Sequence, residues 1–429
     1  MFGDIMKKLI AVLIIALMMV MVSCGEKTSK KEEITIFHAT DIHYLSQRLT
    51  ENSPAFVEMI QGGDGKMVHC IDYIIDAFVS DVIENKPDYL VISGDMTFNG
   101  EKYSHDDLAK KLRTIEKNGV QVLVIPGNHD VDYPFCFGYG QTYSYPAERM
   151  TDRDFETVYA DFGLKQAYTR DKNSFSYMYR LTDKITLIAL DTNRGGGNGV
   201  VGQETLLWLE KELEKADRDT VFISVTHQKL LSHFGDEMFS NSYTILNNIP
   251  LIELFDQYNV KLNLSGHIHT QHICSENGIT DIATESLAVL PCNYGVVNIN
   301  TDKIAYSTQS VNVEKWAEDN NITDNNILDF NNYSKEFYMK SQSMLCMSAL
   351  EDYLYPEEEK KLLTDFFAEL NVYYFSGTVD EYYDYLTETA GYKKWLEKGK
   401  DLWHYQYIMA RMEEGRIGVS HNSRTIALK

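Results

Sequence analysis

Five short polar segments, each placed directly after a run of apolar residues, constrain the fold of this chain more than any other feature. The apolar runs have the length and composition of buried strands, and each ends at a turn signal. The five segments are Asp41-Ile42-His43, Gly94-Asp95, Gly127-Asn128-His129-Asp130, His227 and Gly266-His267-Ile268-His269. Because sites in open α/β sheets lie at the ends of strands, the pattern predicts a functional site built from these loops.

Strand and helix patterns alternate along residues 34–307. Short apolar runs predict strands over residues 34–39, 89–92, 122–125, 175–180, 185–190, 221–225 and 260–264. Apolar residues at helical spacing predict helices over residues 68–83, 103–117, 203–216 and 249–258. This alternation predicts a layered α/β core. Residues 45–66 and the aromatic-rich stretch 131–150 are predicted to be loops, and the second of these could form a substrate wall or a packed surface excursion.

The sequence pattern changes near Val311. Beyond it, apolar residues recur at helical spacing, and acidic residues and tyrosines are frequent. Residues 357–370 and 378–389 are predicted to be helices, and the last dozen residues look frayed. The predicted domains are therefore an α/β domain over residues 34–309 and a helical C-terminal region over residues 310–429. That region could cap the α/β domain, shape a substrate entrance or mediate dimerisation.

The N-terminus has the pattern of an export signal. Lys7 and Lys8 precede an apolar stretch over residues 9–22 that is too short to span a membrane comfortably. Cys24 follows a small residue and precedes a glycine, which resembles a bacterial lipobox. We therefore expect a signal peptide over residues 1–24, lipidation of Cys24 and a polar tether over residues 25–33. An uncleaved N-terminal anchor is the alternative, and either arrangement predicts an exported, membrane-tethered protein, outside the cytoplasmic membrane or in the periplasm or outer membrane.

The charge and the cysteines exclude several classes of function. The net charge of −23 repels polyanions, so long nucleic acids are not expected as substrates, although cations in a site could still admit a small phosphate ester. The chain has no Cys-x-x-Cys pair, which argues against a structural zinc ribbon. Cys274 and Cys292 could pair across neighbouring strands, but buried free thiols are the favoured interpretation.

The polar segments supply a donor set for metal ions. The candidate ligands are Asp41, His43, Asp95, Asn128, His227, His267 and His269. Oxygen and imidazole donors without sulfur suit divalent ions such as Mn, Fe or Zn. This set is larger than one ion needs if substrate is also to bind. Two ions that share one bridging carboxylate would leave positions open for water and a phosphoryl oxygen.

In this order, the segments resemble those of the calcineurin-like metallophosphoesterase family over residues 34–308. The resemblance implies an α/β fold, a four-layer α/β/β/α sandwich of two sheets, here followed by a C-terminal helical extension. It also implies a dinuclear metal centre. The ligands implied are Asp41, His43 and His269 for the first ion, Asn128, His227 and His267 for the second, and Asp95 as the bridge.

The same resemblance implies the catalytic groups. His129 contacts the scissile phosphate and protonates the leaving oxygen, and Asp130 orients His129. The implied reaction is hydrolysis of a phosphate ester by a hydroxide that bridges the metals. The substrate expected first is a small phosphodiester, as in cyclic-nucleotide phosphodiesterases. A phosphomonoesterase or nucleotidase, or a binding protein that retains its metals, are the alternatives. His233 and His272 are further candidates for substrate contact.

Overall fold

The computed structural model describes residues 33–194, 197–233, 243–351 and 353–428. The predicted signal peptide, Cys24 and residues 25–32 of the predicted tether lie outside the described residues. The strands are β1 (Ile34–Ala39), β2 (Tyr89–Ile92), β3 (Gln121–Val124), β4 (Phe137–Tyr139), β5 (Ser144–Pro146), β6 (Thr169–Arg170), β7 (Tyr177–Arg180), β8 (Ile185–Ala189), β9 (Val221–Val225), β10 (Leu262–Ser265), β11 (His272–Glu276), β12 (Ile279–Ala283), β13 (Asn293–Ile299), β14 (Lys303–Ser310) and β15 (Ser423–Ala427). The α-helices are α1 (Pro54–Gln61), α2 (Ile71–Asn85), α3 (Lys102–Lys117), α4 (Asp152–Val158), α5 (Gln203–Glu214), α6 (Asn248–Gln257), α7 (Val313–Asp319), α8 (Asn325–Leu328), α9 (Phe330–Leu350), α10 (Glu357–Phe375), α11 (Val379–Glu388), α12 (Ala390–Lys398) and α13 (Trp403–Ile417).

Two sheets form the centre of the fold. Sheet A has the strand order β15-β14-β13-β1-β2-β3, and sheet B has the order β11-β12-β10-β9-β8-β7-β6. Strands β1, β2 and β3 are parallel to one another in sheet A, as are β8, β9 and β10 in sheet B. Because parallel strands end at the same edge, the segments that follow them lie together at one edge of each sheet.

The two sheets pack face to face with helices on both outer sides. Ile36 and Leu123 of sheet A share a buried core with Leu187, Ile223 and Leu262 of sheet B. Helices α2 and α3 cover the other face of sheet A, while α5 and α6 cover the other face of sheet B. The layers therefore follow the order α/β/β/α, which confirms the predicted fold class.

Helix α2 follows from the apolar spacing of its sequence. The residues that face the core of sheet A are Ile71, Ile74, Ile75, Phe78 and Val82, and all are buried. A left-handed residue, Lys86 at φ 49°, ends the helix. The helix predicted over residues 68–83 is confirmed, although its first residues form a short 3₁₀ turn. Burial of each such side chain stabilises the fold by about 1.5–3 kcal/mol.

Two segments predicted to be loops contain regular structure. Helix α1 lies within residues 45–66, where the Ser53 side chain accepts a hydrogen bond from the backbone N–H of Phe56 and caps its first turn. Only Phe56 and Ile60 of this eight-residue helix are buried, so its apolar spacing is too short to be recognised in the sequence. Within residues 131–150, β4 and β5 form a small separate hairpin.

The C-terminal strand β15 is the largest correction to the sequence prediction, which described the last dozen residues as frayed. Strand β15 pairs antiparallel with β14 and forms an edge of sheet A, with Ile304 opposite Ile426. Ile426 is the one buried residue of this strand, so the sequence lacks the alternation by which a half-buried strand is recognised. The helical region therefore returns the chain to the α/β core.

The helical region packs in two parts. Helices α7–α9 contribute Val313, Ile327 and Phe337 to the core that also contains α2. Helices α10–α13 enclose a separate core around Phe366 and Trp395. Within the described residues, no helix combines the length and the apolar character needed to cross a membrane.

The cysteines do not form disulfides in the described residues. Cys70, Cys136, Cys274, Cys292 and Cys346 are all free, and four of these five are buried. The favoured interpretation of Cys274 and Cys292 as free thiols is therefore confirmed over the alternative of a cross-strand pair.

Candidate metal centre

The predicted ligands all lie where the ends of parallel strands from the two sheets meet. Asp41 and His43 follow β1, Asp95 follows β2, Asn128 follows β3, His227 follows β9, and His267 and His269 follow β10. Strand ends in two sheets thus bring together seven side chains that are far apart in the sequence. Their convergence is a property of the fold, while their roles as ligands remain predictions.

The first group contains Asp41, His43 and His269. The Nε2 atoms of His43 and His269 lie 3.0 Å apart, and His269 Nε2 lies 3.4 Å from Asp41 Oδ1. The other oxygen of Asp41 accepts hydrogen bonds from the backbone N–H of His267 and from the Thr40 hydroxyl, both at 2.7 Å. One carboxylate oxygen is therefore fixed by donors, and the other faces the two imidazoles.

The second group contains Asn128, His227 and His267. His227 Nε2 lies 3.0 Å from Asn128 Oδ1 and 3.2 Å from His267 Nδ1. The other ring nitrogen of His227 donates to the backbone carbonyl of Ser93 at 2.9 Å. A histidine whose far nitrogen donates to a carbonyl has its near nitrogen directed into the site, which is the orientation found in metal-ligating histidines.

Asp95 lies between the two groups. Its Oδ2 is 3.9 Å from His43 Nε2, and its Oδ1 is 3.4 Å from His227 Nε2. Oδ1 also accepts a hydrogen bond from the backbone N–H of His129 at 2.8 Å. Asp95 is placed where a carboxylate bridging two ions would have to stand.

Much of the centre is built on strained backbone. Five of the candidate ligands adopt left-handed φ angles between 45° and 71°, namely Asp41, His43, Asp95, His267 and His269. Such angles are uncommon for residues other than glycine, and they persist only where the surrounding structure imposes them. The loops therefore hold these side chains in place at a cost in backbone energy.

Two glycines allow the loops to approach one another. A Cβ on Gly127 would lie 2.2 Å from Asp95 Oδ1, and a Cβ on Gly266 would lie 2.0 Å from Thr40 Oγ1. Real side chains do not reach such distances, so any other residue would push Asp95 or Asp41 out of position. Gly127 and Gly266 therefore admit the neighbouring loops that carry Asp95 and Asp41.

The electrostatics of the centre favour positive charge. Burial by itself would raise the pKa of Asp95, but His227 and His129 hold that pKa well below its usual range. Burial likewise opposes ionisation of Asp41, yet contact with His269 lowers its pKa. Burial would lower the pKa of His227, but Asp95 raises it to about 9. Two ionised carboxylates in a buried site require cations.

The residues present fit divalent ions. Asp41 Oδ1 and His43 Nδ1 are buried and have no hydrogen-bond partner among the described residues. Two imidazole nitrogens 3.0 Å apart cannot both carry protons, which leaves at least one lone pair facing the site. Metal ions would satisfy the unpaired carboxylate oxygen and the facing nitrogens together.

His129 stands beside the ligands but is held by other groups. Its Nδ1 donates to the backbone carbonyl of Phe98 and to Asn99 Oδ1, both at 3.0 Å, which leaves Nε2 for a substrate. The ring of Tyr133 stacks on the His129 ring with centroids 4.4 Å apart. The ring of His43 meets it edge-on at 5.3 Å. His129 is therefore oriented at one nitrogen and available at the other.

Asp130 does not orient His129, contrary to the prediction. Its Oδ1 accepts hydrogen bonds from the backbone N–H and hydroxyl of Thr97, and its Oδ2 accepts from the backbone N–H of Gly127 at 2.8 Å. Asp130 thus fastens the loop after β3 to the loop after β2. The orienting group is Asn99, which sequence reasoning missed because a lone asparagine in a loop carries no distinguishing signal.

The sequence predicts that His233 and His272 contact the substrate. Both side chains are buried, so they are not available to it. His272 Nε2 is hydrogen-bonded to Glu414 Oε1, and His421 Nε2 lies 2.7 Å from the same oxygen. His421 Nδ1 accepts a hydrogen bond from the backbone N–H of Ile273, so the proton of the His421 ring is on Nε2, the nitrogen that faces Glu414. This cluster joins β11 to α13 and to the segment before β15.

Two buried histidines, His38 and His272, and one partly buried histidine, His69, predict how stability depends on pH. Burial lowers the pKa values of His38 and His272 to about 3 and that of His69 to about 4. These rings stay neutral in the folded chain, while in the unfolded chain they take up protons near pH 6.5. The unfolded state therefore binds more protons, and the free energy of unfolding falls as pH drops from about 6.5 towards 4.

Urea denaturation at a series of pH values measures this fall. In His69→Gln the decline should be shallower, by up to ~1.4 kcal/mol per pH unit, because one fewer proton is taken up on unfolding. A decline of equal slope in the variant would contradict the assignment of His69 as a partly buried ring that stays neutral in the folded chain.

Fold and donor set together define a class, the hydrolases that act through metal ions held at the ends of strands. Residues 34–271 match the family described as Calcineurin-like phosphoesterase, and residues 312–416 match the C-terminal domain of cyclic nucleotide phosphodiesterase. A curated relative, the probable glycerophosphodiester phosphodiesterase GpdQ of Arcobacter nitrofigilis, is 25% identical over 246 residues, which are 56% of this chain and 78% of that protein.

Solved structures similar to this chain include a dimetal phosphatase from Danio rerio, at 14% identity and a TM-score of 0.45, covering 65% of this chain and 96% of that one. Another is the purple acid phosphatase PPD1 from yellow lupin, Lupinus luteus, at 13% identity and a TM-score of 0.40, covering 66% of this chain and 52% of that one. At these scores neither structure carries an argument about this chain.

The chain belongs to the calcineurin-like phosphoesterase family. It is therefore a hydrolase that acts on phosphoric ester bonds. Dinuclear enzymes of this family use two metal ions, and the two clusters of histidine and aspartate described above are the candidate sites for them in this chain.

Proposed function

We propose that this protein hydrolyses small phosphodiesters with two divalent ions, of which Mn, Fe and Zn suit the donors best. The position of Asp95, with one oxygen towards each group of ligands, is the observation that carries the proposal. The preference for diesters is supported by the match of residues 312–416 and by the diester substrate in the name of the curated relative.

Two divalent ions in such a centre would supply a hydroxide near neutral pH and neutralise the charge of the phosphoryl group. The chain supplies the rest of the chemistry. His129 holds a proton at Nε2 when charged and can donate it to the departing oxygen, because its Nδ1 is already fixed by Phe98 and Asn99. The hydrogen bond from the backbone N–H of Gly127 to Asp130 holds the loop that carries His129 in its position beside Asp95.

The aromatic residues after β3 are the proposed wall of the substrate site. Tyr133 stacks on His129, and Phe135 meets Tyr133 edge-on at 5.9 Å and is 62% exposed. An exposed ring next to the group that faces the leaving oxygen suits an apolar or planar leaving group. A phosphomonoesterase or nucleotidase is the second candidate, because the ligands define the reaction centre and not the leaving group.

Export and membrane attachment through a lipid on Cys24 belong to the same proposal. The support is the pattern of residues 7–25 in the sequence. Growth of producing cells with a radioactive fatty acid should label the full-length chain and leave Cys24→Ala unlabelled. A full-length chain without label would contradict lipid attachment.

Hydrolysis of bis(4-nitrophenyl) phosphate by the metal-depleted chain, before and after Mn²⁺ is added, tests the proposed function. We expect turnover only with metal, and a kcat/KM for the diester above that for 4-nitrophenyl phosphate. A higher value for the monoester would favour the second candidate. Bound metal without turnover of either ester would overturn the proposal in favour of a binding protein.

A further inference from the structure

A short loop that the sequence left unassigned stands at the edge of the candidate metal centre. In this loop, over residues 62–66, Asp64 Oδ2 lies 3.7 Å from Nδ1 of His269, and Lys66 Nζ lies 3.1 Å from the same oxygen. The Lys66 ammonium also lies 5.9 Å from the ring centroid of Phe98, whose carbonyl fixes His129. Lys66 is therefore placed between the first group of ligands and the strand end that holds His129.

The loop is held in this position by the helical C-terminal region. Ser341 of α9 donates to the backbone carbonyl of Gly63 at 2.9 Å, and Gln342 donates to the carbonyl of Asp64 at 3.4 Å. The ring of Tyr338 lies against Gly65, where a Cβ would come within 2.6 Å of it. Only 15% of the Lys66 side chain is exposed, so this lysine is not a freely moving surface group.

The charge of Lys66 acts within the site. Through Asp64 this lysine is linked to the ligand His269, and its ammonium lies 5.9 Å from the ring centroid of Phe98. Burial raises the pKa of Tyr133, and the charge of Lys66 opposes that rise. Lys66 is thus linked to a ligand on one side and to the proposed substrate wall on the other. Asp64 is its partner, but the side chain of Asp64 is 51% exposed and shared with His269.

We propose that Lys66 is a specificity-determining residue that binds a non-bridging oxygen of the substrate phosphate. The inference rests on the proposed function and deepens it. Asp64 is exposed and shared with His269, so it compensates the charge of Lys66 only in part, and the phosphate of the substrate is a second anion that the ammonium can bind. The more charge the phosphate carries, the more Lys66 contributes, so phosphomonoesters and inorganic phosphate depend on it more than diesters.

The matched variants are Lys66→Met, which keeps the length of the side chain and removes its charge, and Lys66→Arg, which keeps the charge. Lys184→Met is the control, because Lys184 is exposed and forms its ion pair with the exposed Asp219. All are made in the full chain and loaded with Mn²⁺, and their thermal unfolding is compared with that of the wild type. If Lys66→Met does not fold, Lys66→Gln replaces it.

Two measurements test the proposal. Calorimetric titration with inorganic phosphate should show affinity lowered about 10- to 100-fold in Lys66→Met, the range of a hydrogen bond to a charged group. Lys66→Arg should restore most of the phosphate affinity, and Lys184→Met should bind phosphate as the wild type does. In steady-state assays, KM should rise more for 4-nitrophenyl phosphate than for bis(4-nitrophenyl) phosphate, with Mn²⁺ content unchanged.

Unchanged phosphate affinity in a folded Lys66→Met chain would overturn the inference, as would an equal rise in KM for both esters. These results differ from a failure of the proposed function, in which the metal-loaded wild type hydrolyses neither ester. Phosphate titration of the wild type and the variant still tests Lys66 in that case, because it needs no turnover.

Discussion

Replacing Asp95 by asparagine is expected to lower kcat/KM for bis(4-nitrophenyl) phosphate by about 10³-fold or more, because it removes charge stabilisation at both metals together. Asp95 faces His43 of the first group with one oxygen and His227 of the second group with the other. Asparagine keeps the shape of the side chain but offers one oxygen without a full charge. Metal content measured by mass spectrometry should fall from two ions per chain towards one.

Asp161→Asn is the matched control, since Asp161 is an exposed aspartate that pairs with Lys165 on the surface. It should keep both the activity and the metal content of the wild type. Full metal content together with full activity in Asp95→Asn would show that Asp95 does not bridge, and would remove the main support for a two-ion centre.

His129→Ala and Asn128→Ala are expected to impair activity in different ways, although the two residues are neighbours. His129 is hydrogen-bonded through Nδ1 to Phe98 and Asn99 and is proposed to act on the substrate through Nε2, so its loss should lower kcat by about 10²–10⁴-fold, the range of a general acid, and leave both ions bound. Asn128 lies 3.0 Å from His227, so its loss should weaken metal binding and make activity depend on added Mn²⁺.

Asn99→Ala separates the action of His129 from its positioning. Asn99 accepts from His129 Nδ1, so the variant should lower kcat less than His129→Ala and leave KM nearly unchanged. His404→Gln, at a histidine packed among aromatic rings of the helical region, serves as the control. If His129→Ala loses metal as Asn128→Ala does, His129 is a ligand and not the acid.

The ligand positions could be predicted because each one is a local event in the sequence. A buried apolar run ends, a turn begins, and the first polar residue after the turn must lie at the edge of the sheet. Asp41, Asn128 and His227 follow this rule, and parallel pairing of β1 with β2 and of β9 with β10 brings them together. The resemblance to the family then divided the ligands into two groups, and this division between two ions stays a prediction.

What could not be predicted depends on contacts between distant parts of the chain. The role of Asp130 was misjudged because its partner, Thr97, lies on another loop. The sequence did not indicate a role for Lys66, because the position of its loop depends on α9, more than 270 residues further along the chain. The contact is the hydrogen bond from Ser341 to the carbonyl of Gly63. His272 was predicted to lie at the site because it is close to His269 in the sequence. His272 instead begins β11, and its side chain contacts Glu414.

The helical region supports the centre from two sides. Besides its hold on residues 62–66, it fixes the segment that follows the last ligands. The backbone N–H of Gln271 donates to the carbonyl of Phe375 at 2.8 Å, and its side chain donates to the carbonyl of His421 at 2.7 Å. Gln271 lies two residues beyond His269. Of the three roles left open by the sequence, shaping the site is the one these contacts favour.

Strand β15 has a consequence for how the protein is made. Sheet A is completed by residues 423–427, which pair with β14 from across more than a hundred intervening residues. A ribosome that has released only the first 310 residues has released a sheet whose edge is the eight-residue β14, whereas the edge of the complete sheet on that side is the five-residue β15. Longer unpaired edges invite pairing with other chains. A gene fragment cut between the two matched regions should therefore yield aggregated protein, whereas one that retains codon 427 should not.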